Sequence, residues 1–432
     1  MEGVEGSRPE TSRDHRTEYA SEGPEKPGTG GFPLKLLGIM SGTSLDGIDV
    51  ALLEVDEFAP APSGAPIPRV AWRLPAFSTR PYTPEERDEI RVGLAGGGPR
   101  ELALLNTRLG EWFARAVLDL LDEAGEVPEG IDAIGSHGQT VWHEPPRPGK
   151  RGSSLQLGCP STLAEGTGIP VVNDFRARDL AAGGHGAPLV PWADAILFSL
   201  PGASRVIQNL GGMGNVTWLP PGGDPGDILA FDTGPGVALL DIAAELATGG
   251  EWRLDRDGAL ARRGTVLESV LSRLLALPFF QEEPPRSTGR EVFGLGLVQE
   301  AKTWVETERG AALNPGTPDE GWPDLLATLT ALTARSMGEA YRQWVLPRGV
   351  DGVFLMGGGA RNPALREAIQ SELAPVPLRA GEDLGMDPDA REAAAFALLA
   401  WAHLRGLPAN VPGATGSRGP RVLGSLTPGG SR

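Results

Sequence analysis

Apolar residues along this chain follow two patterns: short runs bounded by glycine and polar turns, and recurrences every three or four residues. The first run begins at Leu34, where KLLGIM leads into SGTSLDG and then IDVALLEV, two apolar arms around a turn that predict a β-hairpin. SRVIQNLGGMGNVTWLP, starting at Ser204, repeats the arrangement about half a chain later. Further strands are expected at RVAWRLPAF around Trp72, from Ile228 to Asp232 and, short and buried, from Gly352 to Met356. The helical period is clearest from Arg100 to Ala124, where Leu105, Leu109, Trp112, Ala116 and Leu120 share one face. It recurs at Thr83 to Gly93, Ser161 to Glu165, Trp192 to Phe198, from near Gly236, along Pro323 to Val345, and last at Arg391 to Leu404.

The ends of the chain lack either pattern. Met1 to Pro33 has almost no aliphatic residue to bury and is expected to be a disordered leader. From Pro408 onward Pro, Gly, Ser and Thr dominate, so an irregular tail is expected, packed at most at Arg421 to Leu426. Two hairpins so far apart suggest two related lobes, here 34–203 and 204–390, followed by a C-terminal helix and tail over 391–432. A chain of 432 residues is long enough for both.

Charge narrows the partners. Lys plus Arg number 39 against 56 Asp plus Glu, a net charge of −17 that repels nucleic-acid backbones. No run reaches the roughly 18 apolar residues of a membrane span, and the one cysteine, Cys159, excludes an internal disulfide. With no signal-peptide pattern at the start, the cytoplasm is the expected compartment.

Glycine clusters then direct attention to phosphate. There is no GxxxxGK[ST] and no GxGxxG between a strand and a helix, which removes the Walker and dinucleotide readings. Four glycine-rich bends instead follow apolar runs: Gly42 to Gly47, Gly211 to Asn215, Gly234 to Gly236 and Gly357 to Gly359. Any one alone reads as a tight turn; four, two of them in matching hairpins, point to a phosphate cleft between lobes, because glycine lets backbone N–H groups converge on an anion. None of the four lysines lies in such a bend, so triphosphate charge calls for Mg²⁺ as well, with Asp46 and Asp49 as candidates to hold its water shell. Asp46 reads equally as a turn-forming Asp.

Asp232 ends the apolar strand ILAF and precedes Thr-Gly-Pro-Gly at a helix start, a place for a general base; an N-cap is the competing role, which Thr233 is able to fill. VVNDFRARDLAAGGHGAPLVP concentrates Asp174, Arg176, Arg178, Asp179 and His185 on a loop, and GSHGQT places His137 and Gln139 after another strand. Neither HExxH nor Cys/His zinc spacing occurs, so His137, Gln139 and His185 are expected to bind a hydroxylated ligand rather than a metal, with a simple structural role open for each. No GxSxG is present, which weakens an acyl-hydrolase reading.

In order, MSGTSLDGID, GSHGQTVWHEP, NDFRARDLAAGGHGAPLVP, NLGGMGNVT, FDTGPG, STGRE and LMGGGARNPAL resemble the motifs of the anhydro-N-acetylmuramic acid kinase family, from about Leu34 to Leu426. The resemblance implies a two-lobed α/β fold of the sugar kinase and actin-like ATPase type, with the active site in the interlobe cleft. It implies ATP-dependent conversion of 1,6-anhydro-N-acetylmuramic acid to N-acetylmuramic acid 6-phosphate in peptidoglycan recycling, with water opening the anhydro bridge. An ordinary hexose or amino-sugar kinase on the same fold is the alternative. By the same resemblance Asp232 activates the water and Arg178 lies by the sugar or the base. ATP falls to Gly42, Thr43, Ser44, Leu45, Asp46, Gly47, Ile48 and Asp49, with Gly211, Gly212, Asn215, Gly357, Gly358 and Gly359 completing the nucleotide site. Mg²⁺ is assigned to Asp46, and the sugar to His137, Gln139, Arg176, Asp179, His185 and Gly234. The expected partners are ATP and a small sugar, with a homodimer left open and neither nucleic acid nor membrane involved.

Overall fold

A computed structural model describes residues 19–20, 33–42, 45–59, 69–147 and 149–430. The first lobe runs β1 (Tyr19–Ala20), β2 (Leu34–Ser41), β3 (Gly47–Ala59), β4 (Arg69–Pro81), α1 (Pro84–Leu94), α2 (Pro99–Ala124), β5 (Ala133–Glu144), β6 (Ser153–Leu157), α3 (Pro160–Thr167), β7 (Val171–Asn173), α4 (Ala177–Ala181) and α5 (Val190–Phe198). The second runs β8 (Arg205–Leu210), β9 (Met213–Leu219), β10 (Leu229–Pro235), α6 (Ala238–Ala247), α7 (Glu268–Leu275), α8 (Leu295–Arg309), α9 (Trp322–Ala340), β11 (Val353–Met356), α10 (Pro363–Leu373) and β12 (Leu378–Ala380). The chain then returns through α11 (Arg391–Leu404), α12 (Pro412–Thr415) and β13 (Ser425–Thr427).

Both predicted hairpins form. β2 pairs antiparallel with β3 and parallel with β5 in a sheet ordered β1-β4-β3-β2-β5-β7-β13, with β6 beside β5. β8 pairs antiparallel with β9 and parallel with β11 in a second sheet, β10-β9-β8-β11-β12. Each lobe is therefore a mixed sheet with helices, the two-lobed α/β architecture expected. Helix starts follow local chemistry. Thr83 caps α1 through a reciprocal pair with Glu86, and Pro99 opens α2, whose buried face includes all five residues of the predicted stripe.

Two expectations change. In the leader, which otherwise lies outside the described residues, Tyr19–Ala20 pairs with Leu74 and Arg73 of β4; a sheet edge offers main-chain partners whatever the side chains. The tail is ordered well before Arg421, with Asn410, Thr415 and Ser417 buried and β13 paired to β7. Polar hydrogen bonds, invisible to hydrophobic periodicity, hold it. The C-terminal helix α11, for its part, lies directly on the first sheet. A Cβ on Gly38 would stand 1.7 Å from the Ala393 carbonyl oxygen, and one on Gly135 2.0 Å from that of Phe396. Only glycine at these two strand positions allows so close an approach.

One core spans the junction of the lobes, joining Trp192 and Phe198 of α5, Ile207 of β8, Phe354 of β11 and Trp401 of α11. Within it Arg391 makes a two-pronged ion pair with Asp194, Nε to Oδ1 at 2.8 Å and Nη2 to Oδ2 at 2.5 Å, with both side chains buried.

Candidate active site

The second-lobe half of the site is built at the ends of β8, β9 and β10. Asp232 stands opposite Asn215 in the ladder, and the pairing slips between Asp232 and Gly234. The irregularity turns the chain from strand toward α6. At Gly234, φ is 137° and a Cβ would lie 2.8 Å from the Phe280 ring, so this bend requires glycine. The Pro285–Thr288 segment holds Asp232 on three sides: the Asp232 N–H donates to Arg286 O at 3.0 Å, Arg286 Nε donates to Asp232 O at 3.1 Å, and the Thr288 N–H donates to Asp232 Oδ2 at 2.8 Å. Burial pushes the carboxyl of Asp232 up to about 7, against the opposing pull of the Thr288 N–H and Arg286. Asp232 is thus a carboxylate whose basicity suits neutral pH.

Three of the four glycine bends converge beside it. Gly211 O accepts from the Val237 N–H at 2.9 Å, and Gly212 O from Gly236 and Ala238 at 3.0 and 3.1 Å. A Cβ on Gly357 would stand 2.5 Å from Asn209 Oδ1, and one on Gly359 2.8 Å from Val237 Cγ1; Gly358 faces open space. These bends are packed on one another, with the first amides of α6 engaged by the carbonyls of Gly211 and Gly212. Beneath them Tyr341 OH donates to Gln208 Oε1 at 3.1 Å, and Gln208 Nε2 to Thr233 Oγ1 at 3.3 Å, a buried polar chain under the Asp232 bend.

The first-lobe half begins at the β2–β3 hairpin. Thr43 and Ser44 lie outside the described residues. Leu45 and Ile48 are core residues, 5% and 0% exposed, so their side chains anchor the hairpin instead of touching nucleotide. Asp46 is exposed, and Gly47 passes so close to Arg80 O that a Cβ would lie 2.6 Å away. Asp49 accepts from Thr79 Oγ1 at 2.6 Å. Burial, aided by the negative charges of Glu392, Asp389 and Asp46, pushes Asp49 up to about 6. That mutual repulsion is what a cation relieves. Among the described residues no three acidic or His/Cys side chains gather as a closed metal cage.

Next to it lies a polar network on β5 and the loop before α5. His137, 5% exposed, is held neutral by burial and by Arg176; its Nδ1–H donates to Gly138 O at 2.8 Å and its Nε2 accepts from Arg176 Nη2 at 2.8 Å. Arg176 Nη1 donates to Gly186 O at 2.5 Å, while its Nε is buried without a partner. Burial lowers Arg176 to about 10, and Glu392 counters this. Glu392, at the start of α11, therefore stands in the field of both Asp49 and Arg176.

Several expected ligand contacts have other work. Asp179 is fully buried and accepts from the Gly186 N–H at 2.8 Å, Asn410 Nδ2 at 2.7 Å and Thr415 Oγ1 at 2.7 Å. It ties the GGHGAP loop to the tail. Gln139, also fully buried, accepts from Ser41 Oγ at 2.6 Å, and Ser41 in turn meets Tyr82 OH at 2.7 Å. Half-buried His185 is anchored by its N–H to Thr415 O at 2.7 Å, whereas Arg178 is exposed on α4.

A family model described as anhydro-N-acetylmuramic acid kinase matches residues 34–429. A curated relative with that name from Caldanaerobacter subterraneus subsp. tengcongensis is 41% identical over 402 residues, 91% of this chain and 96% of its own. Another, from Gloeobacter violaceus, is 42% identical over 401 residues, 92% of this chain and 100% of its own. The chain belongs to the anhydro-N-acetylmuramic acid kinase family. Among solved structures, a ROK hexokinase from Thermus thermophilus aligns over 86% of this chain and 100% of its own at 19% identity, with a TM-score of 0.32.

The structure also brings Arg286 and Thr288 to Asp232, Glu392 into the field of Asp49, and Asn209 against Gly357, none of which the sequence pattern singles out. STGRE was visible as a motif, but nothing in its composition ties Thr288 to Asp232 across 56 residues of chain. Glu392 sat unremarked at the head of an alanine-rich helix. For a kinase of this family with Asp232 as base, kcat/KM for the sugar is expected to rise with pH through about 7, since only the carboxylate form accepts a proton. A profile measured from pH 5 to 9 checks this. A flat acid side through pH 6–8 would remove Asp232 from that role.

Proposed function

We propose that this chain phosphorylates 1,6-anhydro-N-acetylmuramic acid with ATP and hydrolyses its anhydro bridge in the same cycle, giving N-acetylmuramic acid 6-phosphate and ADP for peptidoglycan recycling. The observation that carries the reading is Asp232: a poorly solvated carboxylate, raised to about 7 and locked to the Thr288 N–H. An ordinary kinase deprotonates a free hydroxyl, but the anhydro bridge leaves none at the sixth carbon, so the base acts on water. Asp232 takes one proton, the water oxygen bonds to the anomeric carbon, and the bond from that carbon to the bridge oxygen breaks. The bridge oxygen takes the γ-phosphoryl group as its bond to ADP breaks. The Asp232 proton leaves to solvent with the products.

The glycine bends around Gly211, Gly236 and Gly357 provide the phosphate floor, and the Gly42–Asp49 hairpin covers the phosphates from the other lobe. Asp46 and Asp49 would hold Mg²⁺, which supplies charge neutralisation to the phosphates when bound. His137 orients Arg176 toward the sugar, and closure of the lobes unites the two halves while excluding other water. A cytoplasmic site of action, where ATP is at hand, is part of this proposal; among the described residues no helix is long and apolar enough to cross a membrane.

The test is turnover in ¹⁸O-labelled water, sampled before the anomeric hydroxyl exchanges. Label is expected at that hydroxyl and absent from the phosphate ester, with plain N-acetylmuramic acid a poor substrate. Label in the phosphate, or equal turnover of the plain sugar, would overturn the proposal.

A further inference from the structure

Among the described residues, the buried side-chain polar atoms without a hydrogen-bond partner are the hydroxyls of Ser136, Ser199 and Thr288, Arg176 Nε and Trp344 Nε1. Leaving such a group unpaired is costly, and a native fold that keeps one beside a catalytic carboxylate calls for an explanation. Thr288 is that case. Its own N–H donates to Asp232 Oδ2 at 2.8 Å, so covalent geometry keeps its hydroxyl within roughly 6 Å of that oxygen, the span of one bridging water. The residue has little freedom to move. Arg286, two positions earlier and 6% exposed, donates to the carbonyls of Asp232, Phe279, Phe280 and Glu282 and lies over the rings of Phe231 and Phe279. The segment that carries Thr288 is thereby clamped to the strand that carries the base.

We propose that the Thr288 hydroxyl is the second group that holds the attacking water, a catalytic contact in addition to Asp232. This rests on the reading of Asp232 as the base. One water O–H points to Asp232 and is the proton removed; the other is accepted by Thr288 Oγ1, which leaves a water lone pair directed at the anomeric carbon. As the new carbon–oxygen bond forms, the second proton stays on the oxygen and becomes that of the anomeric hydroxyl. Thr288 is neither protonated nor consumed. A fixed acceptor of this kind removes the rotational freedom that a water bound by one carboxylate retains.

Three full-length proteins test this: wild type, Thr288→Val and Thr288→Ser. Valine keeps the shape and the backbone N–H to Asp232 while removing the hydroxyl. Thr288→Val is expected to lower kcat for the anhydro sugar about 10- to 100-fold with KM for ATP unchanged, and Thr288→Ser to stay within a few-fold of wild type. Because the hydroxyl has no partner in the unliganded fold, the unfolding temperature of Thr288→Val should equal or exceed that of wild type. The acid limb of the kcat/KM profile should keep its position, since the hydroxyl orients water and does not set the affinity of Asp232 for protons. Near-normal kcat in Thr288→Val, a serine variant as slow as the valine one, a lowered unfolding temperature, or a displaced acid limb with an unchanged plateau would each overturn the proposal. If wild type places no label from heavy water at the anomeric hydroxyl, the reading of Asp232 fails and this inference with it. Labelled product in wild type together with unimpaired Thr288→Val sinks the Thr288 assignment alone.

Discussion

Asp232→Asn is expected to lower kcat by about 10²–10⁴-fold, the usual cost of losing a general base, while leaving ATP affinity near that of wild type. The amide matches the carboxylate in shape, and its oxygen still accepts from the Thr288 N–H, so the bend and the glycine floor beside it should survive. What disappears is the lone pair that takes the proton. The same substitution should alter stability in a pH-dependent way. Burial raises the Asp232 carboxyl from 3.8 to about 7, so the folded protein binds this proton more tightly than the unfolded chain. The stability it contributes is complete below pH 4 and is lost as pH rises through 7, above which a poorly solvated charge must be kept in the fold. Asparagine carries no such charge. The variant should therefore unfold at a higher temperature than wild type at pH 8, with the difference shrinking toward pH 4. Steady-state kinetics and thermal unfolding across that range check both halves. Near-normal turnover would end the assignment of Asp232, and a variant less stable at pH 8 would contradict the burial argument.

The second large effect concerns stability alone. Asp194→Ala should destabilise the protein by about 3–5 kcal/mol, because it leaves the buried Arg391 guanidinium without its counter-charge. The pair joins α5 to the first turn of α11, and α11 is the helix that seals the first sheet and carries Glu392 toward Asp49 and Arg176. Loss should thus appear as a lower denaturant midpoint. Replacing both partners by apolar residues, Asp194→Leu with Arg391→Met, should recover much of the deficit, since no unpaired charge then remains. A single variant as stable as wild type would show that water reaches Arg391.

Much of the frame was legible from hydrophobic order. The two hairpins, the helix over α2, the strand before Asp232 and the last helix all follow from runs and periods that a few neighbouring residues set by themselves. Asp232 was legible for a related reason: the end of an apolar strand followed by Thr-Gly-Pro-Gly states its own geometry locally. The roles of Asp179 and Gln139 were not. Both are polar residues in motif-dense segments, where a ligand contact and an internal strut look alike, and only the partners separate them: Asn410 and Thr415 for Asp179, Ser41 for Gln139.

By itself the sequence determined the two-lobed α/β plan and the family, because periodicity, glycine placement and ordered motifs are properties of short windows. Tertiary structure alone decided that α11 and the tail complete the first lobe, that Arg286 and Thr288 fasten Asp232, and that Glu392 acts through its charge on Asp49 and Arg176. Those contacts join residues distant in the chain through hydrogen bonds, close backbone approach and charge. Such interactions depend on distance in space, and no local pattern of residues encodes that distance.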